Sequence, residues 1–127
     1  MATKESIRKS LFGEESTVEG LIAEYDNEPV AFAVYFHNFS TFVGRRGLYL
    51  EDLFVKQALR RQGIGKKLLT HLAKIAVDRG CSRFEWSALD WNKPAIHFYK
   101  ELGAQKMGEY RIFRMSGTAL ERLAASD

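Results

Sequence analysis

The sequence predicts an α/β fold, with an antiparallel meander followed by a parallel crossover in one mixed sheet. Three observations lead there. Strand-like stretches at residues 17–25, 30–36 and 48–55 follow one another with short connections. The third runs directly into a basic, glycine-containing loop, Arg60-Arg61-Gln62-Gly63-Ile64-Gly65-Lys66, that opens an amphipathic helix. Another strand and a second helix come next, so the later strand returns to the sheet by a helical crossover.

The elements can be justified in order. Thr3 is placed to N-cap a short helix over residues 4–12, with Ile7 and Leu11 as a thin apolar face and Gly13 as its stop. After the strand at 17–25, Asp26-Asn27-Glu28-Pro29 has turn chemistry. The strand at 30–36 is rich in aromatic and β-branched residues. A loop over 38–46 leads to the strand at 48–55. Ile64, Leu68, Leu69, Leu72, Ile75 and Ala76 recur at helical spacing over 64–79, and Gly80 provides the C-cap. Residues 82–89 read as a strand. A helix over 93–102 has Pro94 in its first turn and Gly103 at its end, with Ala95, Phe98, Tyr99 and Leu102 along one side. Residues 105–108 and 110–115 read as a final strand pair, and 118–124 as a short terminal helix.

Composition narrows the function. A chain of 127 residues, 28% charged and 46% apolar, suits one soluble domain, spanning 1–127. No apolar run reaches membrane-spanning length, and the N-terminus lacks a signal-peptide core, so no membrane partner is expected. The single Cys81 forms no internal disulfide, which points to a reducing, cytoplasmic compartment. A net charge of +3 is too mild, and too scattered, for a nucleic-acid binder. The densest basic cluster, Arg60, Arg61, Lys66 and Lys67, surrounds the glycine loop. No His or Cys pairs occur at metal-ligand spacing, so no metal is expected.

A strand that feeds a helix through glycines aims free N–H groups and the positive end of the helix dipole at one spot. That spot suits a phosphate or pyrophosphate. The loop matches neither GxxxxGK[ST] nor GxGxxG, which would need glycine at Leu68. It matches R-x-x-G-x-G through Arg60, Gly63 and Gly65. Around it stand Tyr49-Leu50-Glu51-Asp52-Leu53-Phe54-Val55, then Asp90-Trp91-Asn92 with Pro94, Ala95, Phe98 and Tyr99, then Leu102-Gly103-Ala104, in that order. Together these resemble the GCN5-related N-acetyltransferase (GNAT) superfamily, and within it the diamine acetyltransferases of the spermidine/spermine and thialysine type. The resemblance covers roughly residue 17 to the C-terminus.

The resemblance implies a GNAT-like sheet splayed between two central parallel strands, with acetyl-CoA as donor in the cleft. The strand at 48–55, including Phe54 and Val55, would hold the pantetheine arm through its backbone. Arg60, Arg61, Gln62, Gly63, Ile64, Gly65 and Lys66 would hold the pyrophosphate, and Asn92 would hydrogen-bond the cofactor or cap its own helix. Tyr99 matches the tyrosine that protonates the departing thiolate, against the alternative of a core aromatic. Glu51 is similar to the base that acts through water, and Asp52 would hold a cationic amine or shape the site. Neighbours on a regular strand point to opposite faces, so both carboxylates reach one cleft only if a bulge interrupts the strand, as it does in this family. Otherwise one of them is solvent-facing or paired with Arg45 or Arg46. His37 is a weaker alternative base; His71 and His97 carry no assigned role. With Cys81 lacking a partner base, direct transfer in a ternary complex is expected rather than an acyl-enzyme.

Two departures from the family pattern stand out. The usual first strand and first helices are missing, residues 1–16 reading as a remnant of that helical region, which would expose apolar surface for a homodimer partner to cover. Phe39-Ser40-Thr41-Phe42 lacks the acidic residue of the polyamine-specific members and is closer to the thialysine branch. The expected acceptor is the primary amine of a small molecule: a thialysine-like amino acid, a diamine or a polyamine. A regulatory acyl-CoA-binding remnant without turnover and a protein-lysine acetyltransferase stay open as alternatives.

Overall fold

The computed structural model describes residues 17–60 and 62–126. The helix expected over 4–12 and Arg61 lie outside them. The chain divides after Ser87 into two compact units.

In the first unit, strands β1 (Val18–Tyr25), β2 (Glu28–Ser40), β3 (Arg45–Val55) and β4 (Phe84–Trp86) form one sheet in the order β1-β2-β3-β4. The first two pairings are antiparallel and the third is parallel, as the sequence predicts. The β1–β2 turn is tighter than expected. Asp26 (φ 52°) and Asn27 (φ 63°) both take left-handed backbone, the two-residue turn whose twist matches that of the flanking strands. Glu28 and Pro29 therefore already belong to β2, opposite Tyr25 and Glu24. The loop expected over 38–46 also shrinks. Asn38, Phe39 and Ser40 pair with Gly47, Arg46 and Arg45, leaving a turn at 41–44. There the Gly44 amide donates to the Ser40 carbonyl (2.7 Å) and the Ser40 hydroxyl accepts from the Val43 amide (3.2 Å). Extending the ladder satisfies backbone groups that a longer loop would leave to water.

Helix α1 (Ile64–Asp78) is the crossover between β3 and β4. Its stripe Leu68, Leu69, Leu72 and Ala76 is buried, and the helix packs on β2 and β3. Leu68 meets Val30 and Ala31, with Leu21, Ala23, Leu53, Val55 and Ile64 around them. Ala31, Ala33 and Tyr35 alternate along β2 as the buried face, and Leu48 and Leu50 continue it on β3.

A polar clamp fixes the far end of α1. Arg79, its C-cap residue, donates to both carboxylate oxygens of Glu19 on β1 (2.6 and 2.9 Å). Its Nη1 also lies 3.3 Å from His37 Nε2 on β2. Arg45 donates to the Gly80 carbonyl (2.8 Å) and Arg46 to that of Arg79 (3.4 Å), so cations from β3 meet the negative end of the helix dipole. The hydrogen bond from Arg79 lowers the Glu19 pKa. Burial, together with the charges of Arg46 and Arg79, lowers that of His37.

Both folded-state values lie below the unfolded ones, so the unfolded chain binds more protons in acid. The His37 contribution is present above its ordinary value of 6.5 and is lost as pH falls through the lowered one; the Glu19 contribution follows below 4.5. Thermal stability is therefore expected to decline in two stages on acidification, and Glu19→Gln to flatten the second. A melting-temperature series against pH checks this, and an unchanged lower limb in Glu19→Gln would contradict the clamp.

The second unit holds helices α2 (Lys93–Glu101) and α3 (Gly117–Ala125). The Asn92 side chain caps α2 by accepting from the Ala95 amide (3.4 Å), with Pro94 in the first turn. His97 Nε2 and Glu101 Oε1, one turn apart, lie 2.8 Å from each other. The strand pair expected over 105–108 and 110–115 is not formed. Residues 104–116 carry no strand, and Ile112 and Phe113 are 77% and 96% exposed. Strand propensity describes how well a side chain suits a pleated, half-buried surface, and among the described residues no ladder partner supplies that surface.

Candidate active site

The sequence places its candidate residues at the end of β3 and in the loop that follows. The decisive feature is a register shift. Leu50 lies opposite Tyr35 and Asp52 opposite Val34, so Glu51 is an extra residue in β3. This is the bulge that lets both carboxylates escape strict alternation. Leu50 keeps to the buried face with Tyr35, whereas Asp52 shares the other face with Val34, Phe54 and Phe32. Glu51 and Asp52 are both exposed. Among the described residues neither enters an ion pair: the candidate partners Arg45 and Arg46 are turned to the carbonyls at the end of α1.

The bulge also ends the parallel ladder. β4 pairs with β3 only through Leu48↔Phe84, Tyr49↔Glu85 and Leu50↔Trp86. The strand expected over 82–89 is correspondingly short, because its partner diverges after Leu50. From Glu51 to Val55, β3 stays paired with β2 on one side, and among the described residues no strand pairs with its other edge. An open edge offers alternate backbone N–H and C=O groups to an extended ligand.

That edge leads to the glycine loop. Arg60 folds back over the strand end, its Nε donating to the Val55 carbonyl (3.0 Å) and its guanidinium lying 5.6 Å from the Phe54 ring centre. Phe54 in turn stacks on Phe32 (5.6 Å). A turn at Gln57–Leu59 carries the chain on to Gln62 and Gly63. Gly63 is the N-cap of α1 with φ +80°, a conformation that glycine adopts without penalty, and no side chain caps the helix. The first amides of α1, around Ile64, Gly65 and Lys66, therefore face outward, as at any uncapped helix start. Gly65 has no such torsional need, and a Cβ built there would meet nothing within 4 Å. Among the described residues neither packing nor backbone conformation calls for that glycine, which leaves the backbone there open to close approach.

Lys66 and Lys67 stand in the first turn, at the positive end of the dipole, where the first turn has no acidic residue. That placement opposes the dipole unless an anion joins them. A groove of about 430 Å³ is lined by Gly63, Lys66, Lys67, Thr70, His71 and Lys74. The loop residues have the charge and the free helix-start amides that a pyrophosphate-bearing ligand would need.

Asn92 and Tyr99 belong to the second unit. Asn92 makes the capping bond, so one of its two expected roles is observed. Tyr99 lies on α2, partly buried, with its ring 5.7 Å from that of Phe98. His37, the alternative base, is engaged in the Glu19–Arg79 clamp behind β2. Among the described residues no three His, Cys, Asp or Glu side chains gather as a metal site, and no helix is long and apolar enough to cross a membrane. Sequence reasoning missed the clamp and a hydrogen bond between Tyr49 and Ser87 (2.6 Å). Both join residues far apart in the chain, and no local pattern announces them.

A strand that leaves its parallel neighbour at a bulge and leads to a lysine-bearing helix start is the candidate site for an extended phosphorylated ligand. The model of the Acetyltransferase (GNAT) family matches residues 3–104, and the chain belongs to that family. It is 39% identical over 133 residues to the bovine (Bos taurus) thialysine N-epsilon-acetyltransferase, covering 96% of this chain and 78% of that enzyme. It is 45% identical over 92 residues to an L-ornithine N5-acetyltransferase of Arabidopsis thaliana, covering 72% of this chain and 40% of that one. Among solved structures, an integron cassette protein from the mobile metagenome of V. cholerae superposes with a TM-score of 0.85 at 34% identity, over 98% of this chain and 80% of that one.

Proposed function

We propose that this acetyltransferase moves the acetyl group of acetyl-CoA to the primary amine of a small amino acid or diamine, by direct transfer in a ternary complex. The observation that carries the reading is the bulge at Glu51, which puts two exposed carboxylates beside an open strand edge leading to the anion cradle. Relatives whose names give thialysine and L-ornithine as substrates favour an acceptor with a primary amine on a short aliphatic chain.

Acetyl-CoA, bound as donor substrate, supplies an activated acyl group and departs as the thiol. The backbone of Phe54 and Val55 holds its extended arm. Arg60, Arg61 and the amides from Gln62 to Lys66, with Gly63, Ile64 and Gly65 between them, hold the pyrophosphate. Asp52 holds the acceptor's cationic end. Glu51 takes the ammonium proton through water, which frees the nitrogen lone pair. The N–C bond forms as the C–S bond breaks; Tyr99 protonates the sulfur, and the second proton lost by the new amide nitrogen restores the phenol through water. Asn92 steadies the start of α2 and hydrogen-bonds the donor. The lone, partly buried Cys81 fits a cytoplasmic setting.

The protein works as a homodimer. In support, Tyr110, Ile112, Phe113 and Leu123 of the second unit each lie open, apolar side chains of the kind a second copy covers. Sedimentation at assay concentration should give a dimer; a stable monomer there would refute this.

Acceptor competition tests the reading. Ornithine, thialysine and short diamines should each be acetylated and should compete with one another. Acetylation confined to a lysine peptide would favour the protein-lysine alternative.

A further inference from the structure

Tyr49 and Ser87 meet at the point where β3 and β4 part. Tyr49 Oη lies 2.6 Å from Ser87 Oγ. Tyr49 belongs to the last-but-one pair of the parallel ladder, opposite Glu85, and its ring leans on Phe36 (5.2 Å). Ser87 is the first residue beyond β4 and the last of the first unit. Backbone pairing stops at Leu50↔Trp86, and this side-chain bond reaches one residue past it on the β4 side. Tyr49 also lies on the face of β3 that carries Asp52, because the bulge sets both opposite to Leu50.

From this geometry we infer that the Tyr49–Ser87 hydrogen bond positions the acetyl-transfer site by fixing where the β3–β4 fork opens. The inference rests on the acetyl-transfer reading and adds two positioning residues to it. The edge that would receive the donor begins two residues past Tyr49, at Glu51. With the tie broken, the end of β4 is free to drift from β3, and the carboxylates lose their fixed distance from the thioester. Misplacement by about 1 Å can cost as much as 10²-fold in rate without comparable loss of binding. Neither hydroxyl needs to touch the substrate for this effect.

The test uses Tyr49→Phe, Ser87→Ala, their double variant and Ser87→Thr, in the full chain. Tyr49→Phe keeps the ring on Phe36 and removes only the hydroxyl. Each single variant should lower kcat by about tenfold, with the KM for acetyl-CoA within about threefold of wild type. The double variant should be no worse than either single one, since the two remove the same bond. Ser87→Thr keeps a hydroxyl and should recover most of the rate. Wild-type kcat in both single variants, or multiplicative losses in the double, would overturn the inference. Should Tyr49→Phe fold poorly, the exposed Ser87 supplies the decisive variant. An active wild type with indifferent variants defeats the tie alone. A wild type inactive toward every amine defeats the acetyl-transfer reading and the tie with it.

Discussion

Tyr99→Phe is expected to lower kcat by about 10²- to 10³-fold and to leave acetyl-CoA affinity within about twofold, because in the proposed role its phenol protonates the departing sulfur. The departing group is a thiolate, and a donor placed at its sulfur lowers the barrier only as charge develops there. The phenylalanine ring retains the contact with Phe98, 5.7 Å away, so the packing of α2 is preserved. Steady-state kinetics with the acceptor saturating, beside calorimetric titration of acetyl-CoA, separates the two quantities. Matched losses in kcat and affinity would assign Tyr99 to donor binding or to packing instead. A kcat equal to wild type would remove it from the chemistry.

The second large effect belongs to the glycine loop. Gly65→Ala is expected to weaken acetyl-CoA binding by about tenfold or more, since the new Cβ occupies the space through which a phosphate approaches the backbone. Yet the protein itself has room for that methyl: nothing lies within 4 Å of it. Alanine is also the better helix former, by up to about 1 kcal/mol, so the melting temperature should hold or rise. Opposite movement of stability and affinity is the signature that separates a ligand-approach glycine from a structural one. Gly63 behaves otherwise. Its φ of +80° strains any replacement, so Gly63→Ala should lose stability as well as affinity. Unchanged affinity in Gly65→Ala would remove the pyrophosphate from this loop.

Much of the frame was legible in the sequence because it is written in local patterns. The stripe from Ile64 to Ala76 and the stop at Gly80 located α1, and Pro94 with Gly103 bounded α2. The glycine loop was legible as a strand-to-helix junction because its glycines coincide with a basic cluster; its ligand was not. What escaped was set by partners rather than by local preference. Residues 38–40 and 45–46 look like loop, but each side gives the other a ladder. Residues 110–115 look like strand, but no neighbour pairs with them among the described residues. β4 stops at Trp86 because β3 turns away at its bulge, a cause lying more than thirty residues earlier in the chain. The candidate carboxylates were legible as types; that Glu51 is the extra residue, and Asp52 the one facing with Phe54, could be known only from the register.

The most direct test of the account is thiol release from acetyl-CoA by the purified protein, with and without ornithine, thialysine and short diamines, and with the product identified by mass. The account predicts release that depends on the amine and a product one acetyl group heavier than the acceptor. Binding of acetyl-CoA with no amine-dependent release toward any acceptor, a lysine peptide included, would contradict it and leave a protein that holds the donor without using it.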